Sequence, residues 1–125
     1  MVDKNTQPLA VITGGASGIG LSAVKRFSDE SYEVLILDAN KDAGEQSINN
    51  LKSDTCNINF AHIDITNHAQ VDRVFADLQA NNRPAHVLVN CAGISPALNP
   101  LHQYSVDEWH RTIDINLHGT FYACR

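Results

Sequence analysis

The stretch that most constrains this chain is Thr13–Gly20, TGGASGIG, which follows the apolar run LAVIT at residues 9–13. A short apolar run broken by two glycines reads as a buried strand entering a tight turn. Residues 18–29 then read as a helix, with Ile19, Ala23 and Phe27 recurring four apart and Val24 beside them, which predicts one apolar stripe. Strand, glycine-rich turn and helix together have a chemical use. Glycine tolerates the strained turn and the close approach of another group. The N–H groups near Gly18, Ile19 and Gly20 lack acceptors at a helix start and point at an anion, and Ser17 adds a hydroxyl. Gly14, Gly15, Gly18 and Gly20 do not spell a strict G-x-G-x-x-G, but the context matches it. A Walker-type phosphate loop is excluded, because it needs Gly-Lys-Ser/Thr and the chain has Gly20-Leu21-Ser22.

The rest of the chain repeats the alternation. EVLIL at 33–37 reads as a second strand ending at Asp38, and 40–52 as a weaker helix anchored by Ala43, Ile48 and Leu51. Residues 56–62 alternate Cys56, Ile58 and Phe60 with polar neighbours, as a third strand does. Residues 67–80 form a helix on Val71, Val74, Phe75 and Leu78. HVLVN at 86–90 is a fourth strand, followed by a loop broken by Pro96 and Pro100. The last helix spans 105–125, with Ser105 and Glu108 as a capping box and Trp109, Ile113, Leu117 and Phe121 on its inner face. Such alternation predicts a three-layer α/β/α fold on a doubly wound parallel sheet in the order 3-2-1-4. The ligand crevice is then expected at the carboxyl ends of strands one and four.

Asp38 stands roughly 20 residues past the turn, where a carboxylate accepts hydrogen bonds from the ribose hydroxyls of an adenosine and repels a 2′-phosphate. Ala39 and Asn40 offer no guanidinium, Lys41 opens the next helix, and Lys25 is placed on an outer face. The reading favours NAD over NADP. Asp38 is also a good helix cap, and the two roles are compatible.

Charge and composition narrow the partners. A net charge of -5 weighs against nucleic acid. No run approaches the roughly 18 apolar residues of a membrane span, and the first residues do not read as a signal peptide. The three cysteines, Cys56, Cys91 and Cys124, are widely spaced and read as reduced, mostly buried thiols of a cytoplasmic protein. The six histidines show no metal-ligand spacing.

Asn90 ends an apolar strand, so its amide is expected to bond to a neighbouring loop, and Ala92-Gly93 leaves room for a ligand or simply a tight turn. Asn116 sits inside a helix, where asparagine is disfavoured. Ile113 and Leu117 bracket it, which points to a specific hydrogen bond or a kink.

With these motifs in order, the chain resembles the classical short-chain dehydrogenases/reductases. TGGASGIG is similar to that family's TGxxxGIG turn, NCAGI at 90–94 to its NNAG segment, and IDINLHGTFYAC at 113–124 to its fourth-helix segment. The resemblance implies a Rossmann-type fold and hydride transfer between NAD and a carbonyl or alcohol. It implies that Asp64 meets the adenine amino group, that Ile65 lies beside the adenine, and that Asn90, Ala92 and Gly93 serve the adenosine side or the central sheet. Ile115 would border the nicotinamide side, and Asn116 would join the catalytic residues. Cys91 departs from the second asparagine of NNAG and cannot supply an amide's paired donor and acceptor. The family's serine, tyrosine and lysine are expected later: Tyr32, Tyr104 and Tyr122 are not followed by lysine at the fourth position. Residues 1–125 therefore read as the amino-terminal half of such a domain, truncated after the fourth helix and inactive alone, from a protein expected to form a dimer or tetramer. The alternatives are a noncatalytic dinucleotide-binding or interaction module, and an NADP-dependent reductase.

Overall fold

The apolar runs become the sheet. In the computed structural model, which describes residues 7–51 and 56–125, β1 (Leu9–Thr13), β2 (Glu33–Asp38), β3 (Ile58–His62) and β4 (Ala85–Asn90) are all parallel in the order β3-β2-β1-β4. β1 is buried along its whole length, as a run without polar alternation requires when both sheet faces are covered. β4 is the edge, its Val87, Leu88 and Val89 only half-buried.

Two apolar clusters define the layers. Leu9, Val11 and Leu37 pack with Ile63, Ile65, Val71 and Ala123 on one face. Ile12, Val34, Ile36 and Ile58 pack with Val24 on the other. The first face carries α3 (His68–Ala80) and the end of the chain; the second carries α1 (Gly18–Asp29) and α2 (Lys41–Leu51). The expected three layers and strand order are therefore present. Each fully buried aliphatic side chain contributes about 1.5–3 kcal/mol relative to exposure.

Several local expectations change. β3 begins at Ile58, not Cys56, and the expected end of the second helix at Lys52 lies outside the described residues. Ile19 is 84% exposed and leaves the α1 stripe, whose buried members are Gly20 and Val24. α2 packs most closely through Gly44, where a Cβ would collide with the Phe60 ring, and through Ser47. The cysteines are less buried than expected: Cys56 and Cys91 are half-buried and Cys124 is exposed.

The final helix differs most. The capping box forms, with Ser105 Oγ accepting from Glu108 N–H and the Glu108 carboxylate accepting from Ser105 N–H. α4 (Val106–Ile113) then passes through a π-helical turn (Asp114–His118) into α5 (Gly119–Cys124). The face toward the sheet carries Ile115, Gly119, Tyr122 and Ala123. The proposed inner residues Trp109, Leu117 and Phe121 are 54%, 59% and 57% exposed. Small residues explain the inversion: a Cβ on Gly119 would sit 2.7 Å from Ile65 Cγ2, so the helix approaches β3's end through its missing side chain.

Candidate cofactor site

The carboxyl ends of the strands open into one cleft of about 930 Å³. It lies where the order reverses, with β2 and β3 on one side of β1 and β4 on the other. Of the residues singled out in the sequence, Gly14, Ser17, Gly18, Ile19, Gly20, Asp38, Asp64, Ile65, Ala92, Gly93 and Ile115 all line it. Asn90 and Asn116 do not.

The glycine turn is held from three directions. Gly14 N–H donates to Leu37 O at 2.8 Å. Gly14 has φ +63°, and a Cβ there would fall 2.7 Å from Ala92 Cα, so the β1 and β4 loops touch backbone to backbone. Gly20 passes close beneath Gly14 O, where a Cβ has no space. The first bond of α1 runs from Leu21 N–H to Ser17 O at 3.0 Å, which leaves Gly18, Ile19 and Gly20 N–H without helical acceptors. Ser17 makes no side-chain cap bond, so its hydroxyl is not committed to the helix.

At the tip of β2, Asp38 Oδ2 accepts from Ala16 N–H at 3.0 Å and Oδ1 from Asn40 N–H at 2.9 Å. The carboxylate is thereby fixed at the cleft wall with lone pairs remaining on both oxygens. Past β3, Asp64 Oδ1 accepts from Thr66 N–H and Oγ1–H at 2.9 and 2.7 Å. Ile65 is 9% exposed. Ile115 packs against the cluster of Ile63 and Ile65.

Asn90 and Asn116 act elsewhere. Asn90 Nδ2–H donates to Cys124 Sγ at 3.4 Å, so its partner is a helix residue and not a loop. Asn116 is exposed, as is Leu117 beside it. Its Oδ1 accepts from Ile94 N–H and its Nδ2–H donates to Ile94 O, each at 2.8 Å. The π-helical turn places this amide against the loop after β4, so both the hydrogen bond and the helix irregularity expected of it are present.

Three contributors were not singled out. Thr13 is 1% exposed, and its Oγ1 accepts from Cys91 N–H at 3.2 Å and Ala92 N–H at 3.1 Å, tying the β4 loop to the end of β1. A hydroxyl ending an apolar strand was the available signal. Ile94 and Arg111 line the cleft. Arg111 is an ordinary charged residue on an exposed helix, and nothing in its spacing marks it.

Comparison with known proteins agrees with this geometry. The chain is 35% identical over 119 residues to 2-dehydro-3-deoxy-L-rhamnonate dehydrogenase (NAD(+)) of Sphingomonas sp. (strain SKA58), covering 93% of this chain and 45% of that protein. It is 34% identical over 122 residues to 3-hydroxyacyl-CoA dehydrogenase type-2 of Rattus norvegicus, covering 94% and 46%. Among solved structures, serine dehydrogenase from Escherichia coli superposes with a TM-score of 0.84 at 27% identity, covering 94% of this chain and 53% of that one. An ElxO variant with NADPH bound superposes with a TM-score of 0.86 at 29% identity, covering 95% and 48%. The chain thus spans about half the length of the relatives it matches. The sequence profile of the short-chain dehydrogenases matches residues 8–125, from just before β1 to the last residue, and the chain belongs to that family of oxidoreductases.

Proposed function

We propose that this chain binds NAD and supplies the cofactor half of an enzyme that moves a hydride between NAD and a carbonyl or alcohol substrate. The observation that carries the reading is the convergence on one cleft of an uncommitted helix start at Gly18–Gly20 and a fixed carboxylate at Asp38. The pocket suits a dinucleotide: Gly14 and Gly20 remove the side chains that would close the turn. The N–H groups of Gly18, Ile19 and Gly20 and the Ser17 hydroxyl would hold the pyrophosphate. Asp38 would accept from the ribose hydroxyls, Asp64 would meet the adenine amino group, and Ile65 and Ile115 would flank the ring. Ala92 and Gly93 would let the ligand cross the sheet edge. When bound, the nicotinamide carries the hydride.

NAD is favoured because a phosphate beside Asp38 would face a carboxylate, and Lys41, three residues on, sits 3.8 Å from Glu45. Relatives named for NAD(+) and for an NADPH complex both exist, so the preference rests on Asp38. Asn116 acts as a positioning residue, holding Ile94 at the cleft wall through its paired amide bonds. The serine, tyrosine and lysine that would move the proton come from outside residues 1–125. A cytoplasmic setting fits the cysteine reading. A dimer or tetramer fits the exposed Trp109, Leu117 and Phe121.

Calorimetric titration of the protein carrying this chain with NAD and NADP tests the proposal. Tighter NAD binding and NAD-dependent turnover of an alcohol or carbonyl are expected; tighter NADP binding overturns the cofactor assignment. A second reading is a noncatalytic dinucleotide-binding module. NAD binding without any turnover would select it.

A further inference from the structure

Arg111 is the uncommitted cation of the cleft. Among the described residues, Arg26, Arg83 and Arg125 close on Glu30, Glu33 and Asp72, and Lys41 lies near Glu45. Arg111 lines the cleft and has no hydrogen-bond or ion-pair partner among the described residues. Three carboxylates stand at helical spacing: Asp107, four residues before Arg111, is not bonded to it, and the other two are engaged. Glu108, three residues before it, is held by the Ser105 cap, and Asp114, three residues after, bonds His118 Nδ1 at 2.9 Å. Acids at i−4, i−3 and i+3 ordinarily pair with an exposed arginine; here no ion pair to Arg111 forms among the described residues.

The helix phase says which part of a ligand it meets. Asn116 faces Ile94, on the β4 side. Ile115, Gly119 and Tyr122 face the other way, toward Ile63, Ile65 and α3. Arg111 lies one turn before Ile115 and shares the cleft wall with it. By helical spacing Arg111 shares the face of Ile115, the face that packs with Ile63 and Ile65, and not the face that Asn116 turns to Ile94. A planar, weakly hydrated cation beside apolar side chains is suited to the face of an aromatic ring.

We propose that Arg111 stacks on the purine ring of the bound dinucleotide and that part of the affinity for the adenosine half depends on it. This rests on the dinucleotide reading above. The contact adds a cationic face-on interaction beside the apolar contacts of Ile65 and Ile115. It involves no phosphate, so it should respond weakly to salt.

The test is calorimetric titration of the protein carrying this chain, unmodified and as Arg111→Ala, Arg111→Met and Arg111→Lys, with NAD, ADP-ribose and nicotinamide mononucleotide. Thermal unfolding checks that the exposed substitution leaves the fold intact. Arg111→Ala and Arg111→Met should weaken NAD and ADP-ribose alike by about three- to thirty-fold, the range of a cation over an aromatic ring. Lysine should recover part of this. Nicotinamide mononucleotide should bind equally to all four. Unchanged NAD affinity in Arg111→Ala overturns the proposal. So does an equal loss for nicotinamide mononucleotide, or a loss that vanishes at high salt, because either places the guanidinium on phosphate. Failure of the unmodified protein to bind any dinucleotide would overturn the parent reading, whereas normal wild-type binding with a silent Arg111→Ala overturns only this one.

Discussion

The Asp38 carboxylate accepts the Ala16 N–H at 3.0 Å, so the residue proposed to read the ribose also holds the phosphate turn. The clamp continues on the far side of the same residue, where the buried Ser47 hydroxyl lies 3.3 Å from Ala16 O. Replacing Asp38 therefore removes more than a ribose contact. Asp38→Ala should reduce the preference for NAD over NADP by about 1–2 kcal/mol, the scale of one or two charge-assisted hydrogen bonds. It should also weaken binding of both cofactors and lower stability by about 1 kcal/mol, because Ala16 N–H and Asn40 N–H lose their acceptor. Titration of both cofactors and denaturant unfolding separate these effects. A preference that does not move would show that the carboxylate only braces the turn.

Asn116 and Ile94 exchange two bonds of 2.8 Å between a side-chain amide and one peptide unit. Only an amide can both donate and accept in this arrangement. Asn116→Ala should lower kcat at least tenfold while changing NAD affinity little, because the Gly18–Gly20 turn and Asp38 are untouched. Asn116→Asp keeps the shape but sets a carboxylate oxygen against Ile94 O, and should recover little. Equal losses in turnover and NAD binding would point to general disruption of the fold.

Gly14 and Gly18 both have positive φ, +63° and +53°, yet their surroundings differ. A Cβ at Gly14 would lie 2.7 Å from Ala92 Cα, against backbone that cannot step aside, whereas a Cβ at Gly18 meets nothing within 4 Å. Gly18→Ala should cost about 1–2 kcal/mol, the strain of the left-handed conformation alone. Gly14→Ala adds a backbone collision and should cost clearly more, with loss of dinucleotide binding. Denaturant midpoints of the two variants, compared with the parent, decide this; equal costs would mean that the β4 loop yields freely.

What was legible in the residues was what apolar pattern and turn chemistry control. LAVIT and EVLIL announce strands because a fully buried parallel strand has no polar alternation to obscure it, and Asp38 is marked by its place at a strand tip. The Ser105–Glu108 cap was readable because the box depends on two residues at fixed spacing. The last helix was misread for a physical reason. Its large apolar residues suggested the buried face, but contact with Ile65 is made through Gly119, and a glycine adds nothing to an apolar count. Gly44 and Ser47 mislead in the same way on α2. Ile19 looked like core and is exposed at the cleft, because a ligand-facing apolar side chain and a buried one look identical in sequence. The role of Arg111 depends on its place in the cleft wall, which only coordinates reveal.

The outward apolar residues of the last helix and the open edge of the sheet make one joint prediction about residues 1–125 expressed alone. β4 presents half-buried Val87, Leu88 and Val89 with no strand beyond them among the described residues, and an unprotected apolar edge templates association. Trp109, Leu117 and Phe121 add a second exposed apolar surface on the helix that runs beside it. The two liabilities are separable. Leu117→Glu with Phe121→Glu should reduce self-association through the helix with little effect on folding, since both side chains are more than half exposed. The sheet edge would remain, so the doubly substituted piece should still aggregate, only more slowly. In the protein carrying this chain the same pair should shift the mass in light scattering toward the monomer while NAD binding persists. Residues 1–125 should show no turnover, because no tyrosine in them is placed to move the proton. Light scattering and denaturant unfolding of residues 1–125, with and without excess NAD, provide the measurement. A soluble monomer with one cooperative transition, raised by NAD, would show that four strands and these helices suffice for a stable binding module, and would favour the noncatalytic reading over the enzymatic one.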